Sequence, residues 1–216
     1  MLELSHERPS ERVVDEIDRE RAQHYALLAT LLSASPNAGL LSHLARLDGD
    51  ASPLGRAQVA LGEAAARTNE GDAEREYFDL FVGVGRGLLS PYASHYLAGT
   101  VYGRPLARLR QTLGLLGIEK AEGGSEPEDH AALLCEAMAG LIVGSFSRPA
   151  DSDRQFFEDH LAPWIGRFFA DLERAERAPF YARLGLLGRI FVGVEAESFA
   201  GSAWDFESSE VNKNSD

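Results

Sequence analysis

The sequence predicts an all-α fold: a single helical domain of about eight to ten helices, in the bundle class but not a simple four-helix bundle. Three observations predict it. Apolar residues recur at the i, i+3, i+4, i+7 spacing of a helix face from Tyr25 to Val194. No segment sustains the period-two alternation of a half-buried strand. Proline, glycine and Asp/Asn/Ser clusters separate the stripes.

Taken in order, Tyr25, Leu28, Ala29 and Leu32 line a first helix, which Ser35-Pro36-Asn37 breaks. Leu40, Leu44 and Leu47 predict a short second helix, closed by Asp48-Gly49-Asp50. Leu54, Ala57, Leu61 and Ala65 predict a third, and Ala73, Tyr77, Leu80 and Phe81 a fourth. Gly83, Gly85 and Gly87 then form a loop down to Ser90-Pro91. Leu106, Leu109, Leu113 and Leu116 give a fifth stripe, with Gly117 at the C-terminal cap position. Ser125-Glu126-Pro127-Glu128 has the capping-box pattern, so the next helix is expected to start at Ser125 and to turn His130, Leu133, Leu134, Ala137, Met138 and Leu141 inward. Phe156, Phe157 and Leu161 precede Pro163; Ile165, Phe168, Phe169 and Leu172 follow it. The last stripe starts at Pro179, a good first-turn proline, and runs through Leu184, Leu187, Phe191 and Val194. The helical domain is expected over residues 13–200, between a polar tail at 1–12 and another at 201–216. Trp204 and Phe206 are the apolar exceptions in the second tail.

The 216 residues suffice for a hydrophobic core without disulfides, and 44% are hydrophobic against 25% charged. Acidic residues outnumber basic ones 34 to 21, for a net charge of −13. That balance excludes a phosphate-binding nucleic-acid reader and disfavours anionic lipid; it suits a cationic partner. The single cysteine, Cys135, cannot pair within the chain, and it sits mid-helix among leucines as a buried thiol. The N-terminal stretch has no apolar signal core, and the most apolar run, Phe180 to Val194, is interrupted by Arg183 and Arg189. A soluble, cytoplasmic protein without stable membrane insertion is expected.

Three groups of residues stand out as candidates for function. Glu126-Pro127-Glu128-Asp129-His130 puts three carboxylates and an imidazole at a predicted helix start. They cap a helix well, and they also suit a guanidinium, whose planar fork matches carboxylate oxygens. Tyr77-x-x-Leu80-Phe81-x-Gly83, followed by Pro91-Tyr92-x-Ser94-His95-Tyr96, reads either as core aromatics and a loop or as the rim of an apolar groove. His160-Leu161-x-Pro163-Trp164 reads as core. The histidines lack metal-ligand spacing, the glycine-rich link lacks the phosphate-loop form, and there is no G-x-S-x-G nucleophile elbow. Neither a metal nor a cofactor is expected, and no catalytic residue.

Taken together and in this order, the Tyr-x-x-Leu-Phe-x-Gly, Pro-Tyr-x-Ser-x-Tyr, Glu-Pro-x-Asp-His and His-Leu-x-Pro-Trp motifs resemble the TorD/DmsD/NarJ family of molybdoenzyme maturation chaperones. The resemblance spans about residues 20–200. It implies an all-helical, non-catalytic binder of an immature molybdenum-containing oxidoreductase. It further implies recognition of the client's twin-arginine leader, and a hold on the client until its cofactor is inserted. Carried over by motif, the leader site is Tyr77, Leu80, Phe81, Pro91, Tyr92, Ser94, Asp129 and His130, with Glu126 beside them. Asp129 is expected to take a leader arginine from a helix start, where its removal would spare the fold. The partner is then the apo-enzyme's catalytic subunit and its leader, and the chaperone a monomer or a domain-swapped dimer. Two other readings stay open: an acidic adaptor for another folded partner, and an acid–base enzyme using Asp129 and His130.

Overall fold

A computed structural model of the chain describes residues 15–84, 87–119, 126–144 and 151–211, the last ten as backbone alone. The 1–12 tail, Gly85, Ser125 and the Trp204 and Phe206 side chains lie outside it. Among the described residues there are ten α-helices and no strand. They are α1 Glu16–Ser33, α2 Ala38–Leu44, α3 Pro53–Arg67, α4 Glu70–Tyr77, α5 Ala93–Ala98, α6 Arg104–Leu115, α7 Ala131–Ile142, α8 Ser152–Phe156, α9 Ile165–Glu173 and α10 Pro179–Val211. Short polar caps set the early starts. Asp15, Asn37, Ser52 and Asn69 each accept a first-turn N–H of α1, α2, α3 and α4. Gly117, at φ 65°, closes α6 as a Schellman turn: Ile118 N–H reaches Leu113 C=O at 2.9 Å and Gly117 N–H reaches Gly114 C=O at 3.3 Å.

α7 runs through the centre, with buried residues on every side, and packs mainly on α1. α10 crosses α9 and α3. Its approach to α9 depends on glycine: a Cβ at Gly188 would lie 2.4 Å from the Phe169 ring. Trp164, Phe168, Phe169, Phe180 and Tyr181 fill that part of the core. Burial pushes the Cys135 thiol up to about 12, which keeps it protonated and inert.

Four features depart from the sequence reading. α7 starts at Ala131, not at a box on Ser125, because Asp129 C=O and Ala131 N–H pair with Ala93 and Pro91 instead of within an earlier helical turn. α4 and α8 do not end cleanly; each runs on into a π-helical turn, Phe78–Val82 and Phe157–Leu161. The Ala93–Ala98 segment, read as a loop joining two helices, is the short helix α5. The last helix does not stop near Val194 but continues through Gly201 to Val211.

Candidate functional site

Two distant motifs meet as a corner. Tyr92 and His130 form an isolated antiparallel bridge, in which Ala93 N–H donates to Asp129 C=O at 3.0 Å and Ala131 N–H to Pro91 C=O at 2.8 Å. Asp129 is 0% exposed. Its Oδ2 accepts Ser94 N–H at 2.8 Å and so caps α5, which has no cap of its own from Tyr92. Its Oδ1 has no hydrogen-bond partner and is shut off from solvent. The buried Ser94 hydroxyl in turn accepts Tyr102 N–H at 3.1 Å. Next along, His130 Nδ1 accepts Ala132 N–H at 3.1 Å and caps α7. Burial holds the His130 pKa down against the pull of Glu126 and Asp129. A neutral ring is what an accepting Nδ1 requires.

Aromatic rings form the outer side of this corner. The Tyr92 ring meets His130 edge-on at 5.1 Å, and its hydroxyl donates to Glu126. Tyr77 donates to Ser33 C=O at 3.0 Å and contacts Phe81 at 5.2 Å; Phe81 contacts Tyr181 at 5.6 Å. Burial and then the Glu126 charge raise the Tyr77 phenol, and burial and the Glu126 hydrogen bond raise that of Tyr92. One exposed carboxylate therefore acts on both tyrosines. Leu80 is buried beneath, its C=O taken by Leu89 N–H at 2.8 Å. Beside it the π-turn and the loop after it expose Phe78, Val82, Val84 and Leu88.

All nine predicted residues lie in or under this region, but their work is divided. Leu80, Pro91, Ser94, Asp129 and His130 are buried and build the corner; Tyr77, Phe81, Tyr92 and Glu126 face outward or are half-buried. Asp129 is not an exposed first-turn carboxylate: it precedes α7 and holds Ser94, so its removal strikes the fold. Glu128 is held by Arg110 at 2.8 Å, and Glu126 is the exposed member of the three. Asp129 and His130 do not form an exposed acid–base pair: both are buried, and each caps a helix start. Trp164 is buried, with its Nε1–H on His160 C=O at 2.7 Å. No group of three His, Cys, Asp or Glu side chains suited to a metal occurs among the described residues, and no described helix is long and apolar enough to cross a membrane.

Sequence reasoning missed Glu76. Its Oε2 accepts Phe180 N–H at 3.0 Å and Tyr181 N–H at 3.1 Å, capping α10 from α4. It also missed the ion-pair knot of Arg21 with Asp18, Glu195 and Asp153, which joins α1, α8 and α10. Neither is signalled by local spacing.

The fold is all-helical among the described residues, and comparison with known proteins gives its family. The nitrate reductase delta subunit family model matches residues 47–170, and the chain belongs to that family. Among its relatives is a Vibrio cholerae serotype O1 protein named "Chaperone protein TorD", 30% identical over 151 residues, 63% of this chain and 66% of that one. A Shewanella pealeana protein of the same name is 25% identical over 205 residues, 85% of this chain and 91% of that one. A crystal structure described as a putative redox enzyme maturation protein from Archaeoglobus fulgidus shares the fold, with a TM-score of 0.56 at 18% identity, over 80% of this chain and 93% of that one. The match to the Vibrio relative thus spans just under two thirds of that protein's length.

Proposed function

We propose that this chain is a maturation chaperone: it binds an immature molybdenum-containing oxidoreductase through its twin-arginine leader and holds it while the cofactor is inserted. It acts as a binder and not as an enzyme, in the cytoplasm, as a monomer or a domain-swapped dimer. The observation that carries the reading is the exposed Glu126, which takes the Tyr92 hydroxyl at the rim of the corner, in a region that also exposes Phe78, Val82 and Leu88. A leader has a basic head and an apolar run. Glu126 offers the head an exposed carboxylate, and Phe81, Phe78, Val82 and Leu88 offer the run an apolar bed. The net charge of −13 draws such a peptide in. The relatives' chaperone names support the same reading.

The test is calorimetric titration of a synthetic twin-arginine leader, and of its twin-lysine counterpart, into the full chain. Glu126→Gln, at an exposed position, is expected to weaken the arginine leader by roughly tenfold at low salt and less at high salt. Equal binding of Glu126→Gln and wild type at both salts, or no leader binding at all, would return the chain to the adaptor reading.

A further inference from the structure

Tyr102, between α5 and α6, has φ 73°, in the left-handed region that a bulky side chain rarely enters. Among the described residues Asp151 is the other non-glycine with positive φ, and aspartate tolerates that region because its short polar side chain can bond locally. Tyrosine has no such compensation. Its ring is 59% exposed, so packing offsets little of the strain. The backbone is nonetheless held: Tyr102 N–H donates to the buried Ser94 hydroxyl at 3.1 Å, and Asp129 Oδ2 in turn holds Ser94 N–H. Glycine or asparagine would make the same turn at less cost, because the bond to Ser94 comes from the main chain. What tyrosine adds is an exposed ring on a fixed backbone.

That ring belongs to the outer side of the corner. Ser94, which holds it, follows Tyr92 by two residues, and the Tyr92 hydroxyl donates to Glu126. Burial and then Glu126 raise the Tyr92 phenol, and the Tyr102 phenol adds to that rise. The Glu128 hydrogen bond raises Arg110, and Tyr102 adds there too. Tyr102 is thus within electrostatic reach of both the Tyr92–Glu126 and the Arg110–Glu128 pair. Arg110 is bonded to Glu128 at 2.8 Å, so its charge is met by that carboxylate. We propose that Tyr102 is a specificity-determining residue of the leader site: its ring takes the flat face of a leader guanidinium whose N–H groups go to Glu126. Stacking and cation–π attraction favour arginine's planar, delocalised cation over lysine's compact ammonium. The inference rests on the leader reading and names the residue that makes that site prefer arginine.

Calorimetric titration of the twin-arginine leader and its twin-lysine counterpart into full-length wild type, Tyr102→Asn and Tyr102→Phe tests it, beside the thermal midpoints of the three proteins. Tyr102→Asn keeps the main-chain bond to Ser94 and suits the left-handed backbone, so its midpoint is expected at or above that of wild type. It is expected to bind the arginine leader roughly threefold to tenfold more weakly and to leave the lysine leader nearly unchanged. Tyr102→Phe keeps the ring and is expected to bind within about twofold of wild type. A tyrosine kept only for structure gives the opposite pattern. A lower midpoint in Tyr102→Asn, unchanged binding of the arginine leader, or an equal loss for both leaders therefore overturns the inference. Binding weakened by Glu126→Gln but not by Tyr102→Asn fails this inference alone. A wild type that binds neither leader fails the leader reading, and this inference with it.

Discussion

Glu76 and Asp129 are buried carboxylates that cap helices remote in sequence, and they differ in how completely they are used. Glu76, on α4, holds the first two N–H groups of α10, Phe180 N–H reaching both of its oxygens, so all of these hydrogen bonds serve one helix start. Asp129 holds a single N–H of α5 with one oxygen and leaves the other without a donor. The first is a structural rivet under the aromatic cluster of Tyr77, Phe81 and Tyr181. The second closes the corner between α5 and α7, half satisfied. A buried polar atom left without a partner is uncommon in a folded protein.

The largest expected effect is at the fully used carboxylate. Glu76→Ala strands two buried N–H donors and is expected to cost about 1.5–3 kcal/mol in urea denaturation at neutral pH. Asp129→Ala strands one and should cost less, about 1–2 kcal/mol, the range of a lost N-cap. Asp129→Asn should cost less than Asp129→Ala, since its amide oxygen still receives Ser94 N–H. If Asp129→Asn were as damaging as Asp129→Ala, the charge itself would be structural and the contrast between the two sites would collapse.

The same contrast explains what the sequence made legible. Stripes such as Leu106/Leu109/Leu113 and the glycine cap at Gly117 are local, so spacing revealed them. Glu76 and Asp129 cap helices that begin far away, and nothing in their own neighbourhood announces it. The capping-box reading at Ser125 failed because the competing partner was the Pro91–Ala93 backbone, which a one-dimensional pattern does not contain. The two π-turns escaped because an extra residue in a helical turn leaves the apolar stripe nearly unchanged. The candidate residues that meet at the corner, in contrast, were readable as motifs. Their division into a buried frame of Ser94, Asp129 and His130 and an outer face of Tyr77, Tyr92 and Glu126 was not, since burial depends on the tertiary corner.

The smallest expected effect comes from the third cap of this region, His130, and it is a slope with pH. An imidazole cap accepts only while it is neutral. Burial depresses the folded-state pKa of His130 below its ordinary value of 6.5. A depressed folded pKa means that its contribution to stability is fully present above the unfolded value and is lost as pH falls through the folded one. Protonation would also turn Nδ1 from the acceptor of Ala132 N–H into a second donor. Thermal midpoints measured from pH 7.5 down to 5 should therefore fall in wild type. They should fall less steeply in His130→Asn, whose amide oxygen caps at any pH. His160, also depressed by burial, contributes a slope of the same sign to both proteins, so the difference between them isolates His130. Parallel slopes would mean that the α7 cap does not depend on the charge state of this ring, and that the Asp129–His130 turn is held by its backbone bridge to residues 91–93 and by the Asp129–Ser94 hydrogen bond.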